Sequence, residues 1–353
     1  MSNRMLVDAS HDEETRVIVL DKEGKIQEFD LEAKDKNQIR GNIYLAKVTR
    51  VEPSLQAAFV EYGGNRHGFL PFSEIHPDYY QIPTSEKRKI IEQDALDQPD
   101  MAEEDEKNEL DDDIEVTNKK VSASRKRYKI QEVIKKRQII LVQVTKEERG
   151  NKGAAITAYI SLAGRYCVLM PNTAKGGGIS RKIADIQTRN KLKTTVSSLM
   201  IPDGMGVIIR TAGAQRTKTE IKRDFQYLIR LWETIRDLTL NSSAPALIYE
   251  EGSLIKRSIR DLYNKDIDEI IVSGEKAFNE AKIFMKMLIP SHVKFIKKYT
   301  DTIPLFTNYQ AERELSNMYT SNVSLPSGGY LVINQTEALV AIDVNSGKAT
   351  RER

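Results

Sequence analysis

IYLAKVTRVEPSLQAAFVEYGGNRHGFLPFSEI, residues 43–75, sets two short β-branched and aromatic runs around two turns. Residues 43–51 and 58–62 read as strands. Glu52-Pro53-Ser54 separates them and Gly63-Gly64-Asn65 closes the second, which predicts a small β-barrel and no helix here. Phe59 lies inside the second strand and Phe69 just past the glycine turn, with Arg66 and His67 between them. A ring beside a cation can stack an unpaired base and hold its phosphate. The same rings can also be barrel core, and spacing alone leaves both readings open.

The chain of 353 residues has room for two or three domains, with 40% hydrophobic and 30% charged residues, the balance of a globular protein with a heavily charged surface. The net charge of +3 conceals an asymmetry. Residues 92–115 hold 13 acids and one base, a net of twelve negative charges, so the remainder is near +15 and suits a polyanionic partner. A single cysteine, Cys167, excludes an internal disulfide and a multi-cysteine zinc site from this chain. The opening residues lack an apolar signal core, and no run reaches the roughly 20 apolar residues of a membrane helix, so the cytoplasm is the expected location.

Residues 5–7, 15–20 and 26–31 read as strands, too few to bury a core alone, so they are expected to pair with strands from later in the chain. Residues 98–124 have few large apolar side chains and no period, and read as a disordered insertion between barrel strands. Residues 138–144 and 155–161 resume the barrel around KEERGNKG (146–153), a basic, glycine-punctuated turn suited to phosphate. KGGGISRK (175–182) offers converging backbone N–H groups, although such a run is also a common loop. The spacing of Ile221, Phe225, Leu228, Trp232 and Ile235 predicts an amphipathic helix over 219–238, with Trp232 in the core. From 253 onward helices (253–263, 275–288, 310–318) alternate with strands (269–272, 293–299), the pattern of an α/β layer. A hairpin then follows around Pro326-Ser327-Gly328-Gly329, and the last strand, 338–344, is interrupted by Asp343. A carboxylate on a buried strand is costly unless paired or coordinating a cation, so Asp343 is a candidate metal ligand, the alternative being a turn cap. Alternation puts Asn345 on the same face.

Five ordered stretches, namely 48–75 with 144–153, ISLAGRYCVLMP (160–171), GGISRK (177–182), MGVIIRTAG (205–213) and LPSGGYLVINQTEALVAIDVNS (325–346), resemble the bacterial ribonuclease E/G family, nearer its E branch. The resemblance implies an α+β multidomain fold: a split RNase H-like domain (1–36 and 254–318), an inserted S1 barrel of the OB-fold type (37–160, with a disordered charged insertion about 77–137), a 5'-sensor domain (161–253) and the start of a DNase I-like domain (319–353). It implies a Mg2+-dependent endoribonuclease of rRNA processing and mRNA decay that favours 5'-monophosphorylated single-stranded RNA. Phe59, Phe69 and Lys152 would contact RNA. Arg210, Thr211, Gly164, Val168 and Arg181 would form the 5'-phosphate pocket, and Asp343, with Asn345 in support, would hold the metal. The family's second metal-binding aspartate and its zinc-binding cysteine pair have no counterpart here, so the chain is expected to be an amino-terminal part with half a catalytic site. A non-catalytic RNA-binding module is accordingly the alternative. The resemblance also implies a homotetramer for the full-length protein. Degradosome components and association with the inner membrane face attach to sequence this chain does not contain.

Overall fold

The computed structural model describes residues 3–11, 13–33, 38–97, 128–150, 152–173, 177–264 and 266–350. The chain divides into two compact units, Met1–Lys36 with Leu254–Arg353, and Asn37–Ser253. The expected disordered stretch 98–124, with most of the acidic run, lies outside the described residues, as do Asn151, Lys175 and Gly176.

The first unit opens with β1 (Asn3–Asp8), β2 (Glu14–Leu20) and β3 (Ile26–Ala33), an antiparallel meander. The second unit begins with β4 (Ile43–Glu52), β5 (Ala57–Glu61) and β6 (Gly68–Pro71), followed by α1 (Thr84–Asp97) and the single turn α2 (Ile130–Val133). The strands β7 (Ile139–Lys146) and β8 (Ala155–Thr157) complete a five-stranded barrel, because β7 pairs back onto β4. Barrel closure leaves alternate residues facing in: Ala58, Val60, Leu70, Ile140, Val142 and Ile156 fill one core with Tyr44, Ala46 and Val48.

Two helices fall inside the stretch 77–137 that the sequence assigned to a disordered insertion. That assignment is corrected at its two ends. Tyr80 and Ile90 on one side, and Ile130, Val133 and Ile134 on the other, are buried in the barrel core, and this burial offsets the ordering entropy of the charged segments that carry them.

Next come β9 (Leu162–Ala163), β10 (Cys167–Met170), β11 (Gly177–Ile179), α3 (Ile186–Ser197), β12 (Gly206–Ile209), α4 (Lys218–Leu240) and β13 (Ala246–Tyr249). The sheet β11-β12-β10-β9 is covered by Ile221, Phe225, Leu228 and Ile235 of α4, and Trp232 packs at its margin. This second core also takes Ile43, Leu45 and Leu141 from the outer face of the barrel, and β13 pairs with β4. β4 is therefore buried on both faces, which explains its run of apolar residues without alternation. Asn37–Ser253 is accordingly one compact unit whose two cores share β4.

The chain returns to the first unit with α5 (Leu254–Asp261), β14 (Ile267–Ser273), α6 (Glu275–Leu288), β15 (Ile296–Lys298), α7 (Leu305–Asn308) and α8 (Ala311–Met318). β14 lies parallel to β1, about 265 residues away in sequence, and gives the sheet order β15-β14-β1-β2-β3. The three N-terminal strands thus find the late partners that their small number required. Last come β16 (Asn322–Ser324), β17 (Tyr330–Gln335) and β18 (Val340–Asn345), a separate antiparallel sheet. Among the described residues no helix is long and apolar enough to cross a membrane.

Glu269 ties β1, β14 and β15 together through Arg4 Nε (2.5 Å) and Lys297 Nζ (2.6 Å). Burial alone would raise its carboxyl, but the two cations outweigh burial and hold it below the ordinary glutamate value of 4.5. A lowered carboxyl stabilises the fold above its unfolded-state value, and the contribution is lost as pH falls through the folded-state value. Glu269→Gln should therefore lower stability near neutrality by about 1 kcal/mol, discounted for the exposed lysine, with the wild-type and variant curves converging below pH 4.5. Urea denaturation across that range measures it, and a constant gap down to acid pH would contradict it.

Candidate RNA-binding face, 5'-end pocket and carboxylate site

Phe59 and Phe69 are direct cross-strand partners on β5 and β6. Because Ala58, Val60 and Leu70 occupy the interior, alternation turns both rings outward, and each is half-buried and absent from the barrel core. Their centroids are 5.8 Å apart at 64°, an edge-to-face pair. Of the two readings the sequence left open, the core one is excluded by this orientation. Arg50, in register with Phe59 on β4, places its guanidinium 4.6 Å from the Phe59 ring. Sequence reading did not single out Arg50, whose signal is only its register opposite Phe59.

Lys152 is exposed on the β7–β8 hairpin. Tyr62 Oη and the Arg66 N–H both donate to Glu148 Oε1, and Arg66 Nη1 donates to the Gly150 carbonyl at 2.6 Å. A Cβ at Gly153 would lie 2.0 Å from the His67 carbonyl, so only glycine lets the hairpin approach the Arg66–His67 turn this closely. The Phe69 N–H donates to Ala154. The hairpin is thereby pinned beside Phe69.

In the second core the ends of β10 and β12 bring Gly164, Val168, Arg210 and Thr211 to one end of the sheet. Val168 pairs with Ile208, the Arg210 N–H donates to the Tyr166 carbonyl, and Arg210 Nη1 donates to the Gly164 carbonyl at 2.8 Å. Arg210 and Val168 are half-buried and Thr211 is exposed at the start of a 3-10 turn. Arg181 is exposed and follows Ser180, whose N–H donates to the Ile209 carbonyl. The glycine run leading to it was expected as a loop, yet Gly177–Ile179 is a strand parallel to β12. β11 is an edge strand, so this pairing engages one of its two backbone edges.

Asp224 of α4 holds this end of the sheet and was missed in the sequence. Its carboxylate accepts from the backbone N–H groups of Arg165 (3.1 Å), Tyr166 (2.7 Å) and Cys167 (2.9 Å). A Cβ at Gly164 would lie 2.6 Å from Asp224 Oδ2, so this glycine is required by close approach. Burial pushes the Asp224 carboxyl above its ordinary value, opposed by the three N–H donors. Burial, with Asp224 adjacent, also pushes the Cys167 thiol far up, which keeps it protonated and unreactive. The available signal was an acid on the buried stripe of α4, between Ile221 and Phe225.

Asp343 and Asn345 project from the same face of β18, and Asn345 Nδ2 donates to Asp343 Oδ2 at 3.0 Å. The strand was expected to be buried, but Asp343 is exposed and Val340, Ile342 and Val344 line an uncovered apolar face. The cost of burial therefore does not argue for a cation here, and the carboxylate's partner is the Asn345 amide. Among the described residues no three His, Cys, Asp or Glu side chains converge as a metal centre.

Residues 38–95 match the S1 RNA binding domain, and residues 161–353 match the Ribonuclease E/G family. The second match covers more than half of the chain. The chain belongs to the ribonuclease E/G family. It is 40% identical to ribonuclease E of Haemophilus influenzae over 99% of its own length and 33% of that relative, and 40% identical to ribonuclease E of Escherichia coli over 99% and 29%. It is 31% identical to ribonuclease G of Escherichia coli over 98% of the chain and 63% of the relative. The chain thus spans about a third of the length of the ribonuclease E relatives it matches. Within this ribonuclease E/G chain, the S1 match takes in the strands that carry Phe59 and Phe69, and the family match takes in Arg210 and the Asp343 strand.

Proposed function

We propose that this chain belongs to an endoribonuclease that grips single-stranded RNA on the outer face of its S1 barrel and cuts it, with a preference for 5'-monophosphorylated ends. The observation that carries the reading is the outward Phe59–Phe69 pair, with Arg50 against one ring and the Lys152 hairpin beside the other. Half-exposed rings give bases a face to stack on, and the nearby cations suit the phosphates between them. Replacing either phenylalanine by alanine should weaken single-stranded RNA binding by about 1–3 kcal/mol each while leaving the fold intact. Titrating a fluorescent RNA against each variant measures this, and unchanged affinity would return the rings to a packing role.

The pocket reading assigns Arg210 and Thr211 to a terminal phosphate, which carries more charge than an internal one and rewards a guanidinium and a hydroxyl presented together. The Gly164 carbonyl holds one arm of Arg210, Val168 would meet the terminal nucleotide, and Arg181 would add charge at the rim. On this reading residues 161–253 serve as the 5'-sensor and the first unit contains the RNase H-like part.

The Asp343 carboxylate, held by the Asn345 amide, offers a hard oxygen donor that suits Mg2+, a cation bound through one or two carboxylates, waters and substrate phosphate. A bound Mg2+ would supply a water of lowered pKa and neutralise charge developing on the scissile phosphate. Asp343 would hold it through a carboxylate oxygen, while the Asn345 amide restrains the other oxygen. Roles in rRNA processing and mRNA decay, a cytoplasmic location and tetramer formation belong to this reading of the whole protein.

The second reading, an RNA-binding module without chemistry of its own, is favoured by one observation. Among the described residues no three His, Cys, Asp or Glu side chains gather at Asp343 as a metal centre.

A further inference from the structure

A groove of about 450 Å³ runs between β4 and the α2 turn, beside the aromatic pair. Val51 and Ile134 form its floor, and Thr49, Arg50, Gln131 and Lys136 form its walls. Ile134 is buried in the barrel core, whereas Arg50, Gln131 and Lys136 are exposed. The groove is joined to the aromatic face by Arg50, whose guanidinium lies against Phe59, and by Thr49 Oγ1, which donates to the Phe59 carbonyl at 3.0 Å. Its far wall is fixed as well. The Arg137 N–H donates to the Val48 carbonyl, the Gln81 N–H to the Val133 carbonyl, and the Lys129 N–H to Glu132 Oε2. Glu52 Oε2 lies 3.9 Å from Arg50 Nε, and its other carboxylate oxygen accepts from Ser54 Oγ at 2.8 Å.

We propose that this groove is a nucleotide subsite for single-stranded RNA, holding the residue next to the one that stacks on Phe59. The proposal rests on the reading that the Phe59–Phe69 face carries RNA. An apolar floor accepts the face of a base. The Gln131 amide offers a donor and an acceptor to a base edge, and Arg50 and Lys136 stand where flanking phosphates would pass. The volume is within the range of small-ligand clefts, and the hydrogen bonds that fix both walls mean it is formed before RNA arrives.

The test uses the full chain and 5'-hydroxyl oligoribonucleotides lengthened one residue at a time, with affinity measured at several salt concentrations. Wild type should gain affinity at the step that fills the groove. In the Gln131→Ala, Lys136→Ala double variant that step should shrink by roughly fivefold to tenfold, with the salt slope reduced by about 0.7 and the shorter oligonucleotides unaffected. A double variant with the wild-type length profile and salt slope overturns the subsite, whatever Phe59 does. Phe59→Ala, run alongside, separates the two claims: it should weaken binding at every length if the aromatic face carries RNA, and no effect would overturn that reading instead. If the double variant weakens binding equally at all lengths, the lysine acts as diffuse charge and the subsite is again overturned.

Discussion

On the proposed reading, Asp343→Asn should reduce RNA cleavage by about 1,000-fold, with RNA affinity unchanged. The size follows from what the carboxylate is asked to do. A cation acting on a phosphodiester supplies several kcal/mol of transition-state stabilisation, and about 4 kcal/mol corresponds to three orders of magnitude in rate. The amide of asparagine fills the same space without the charge that would hold the cation. Asn345→Ala should cost less, about 10–100-fold, because Asn345 orients the Asp343 carboxylate by the 3.0 Å hydrogen bond, as outer partners of metal ligands do. Single-turnover cleavage of a short RNA measures both. Normal cleavage by Asp343→Asn would remove Asp343 from the chemistry, and a larger loss in Asn345→Ala than in Asp343→Asn would reverse their roles.

Asp224→Ala should destabilise the unit Asn37–Ser253 by about 3–5 kcal/mol, since it leaves three buried backbone N–H groups of residues 165–167 without their acceptor. The consequence should reach the proposed 5'-end site at Arg210. Those N–H groups fix the turn whose Gly164 carbonyl accepts from Arg210, so a loosened turn frees the guanidinium from its set direction. Asp224→Asn keeps a carbonyl oxygen in place and should fold more stably than the alanine variant, yet lose part of any preference for 5'-monophosphate over 5'-hydroxyl RNA. Arg210→Gln should lose all of it. Thermal denaturation measures the first effect and paired binding titrations the second. A full preference retained in Arg210→Gln would put 5'-end sensing elsewhere, and full stability in Asp224→Ala would mean that water satisfies the three donors.

The parts of this fold that a sequence can announce are those in which one local pattern decides. The helix over 275–288 was readable to the residue, because its apolar positions recur at helical spacing and both ends are marked. The need of the three N-terminal strands for late partners was readable too, since three strands cannot bury a core, although only the structure identifies β14 as the neighbour of β1. Elsewhere tertiary burial overrode weak local signals. α1 is charged at half of its positions, and among its described side chains Ile90 is the one in the barrel core. α3 mixes threonine and valine with lysine and is announced only by its cap, Asp185 accepting from the Thr188 N–H. The expected strand over 293–299 is half a 3-10 turn opened by Pro290, and extended pairing starts only at Ile296.

The candidate sites divide along the same line. Phe59 and Phe69 were recognisable as residue types in strands, but which face they take depends on Ala58 and Val60 filling the barrel, a matter of register. The glycines at 153 and 164 are explained by what approaches them, His67 and Asp224, both distant in sequence. Asp343 was found for a reason that the structure does not support. It was picked out as a charge in a buried strand, whereas β18 exposes it, and its case now rests on Asn345 and the family match.

The most direct measurement is photocrosslinking of this chain to a single-stranded RNA in which every uridine is 4-thiouridine, followed by mapping of the modified peptides. The outward aromatic pair predicts crosslinks at Phe59 or Phe69 that disappear when both are replaced by alanine. Crosslinks confined to other segments, with binding intact in the double alanine variant, would contradict an RNA-binding face built on this pair.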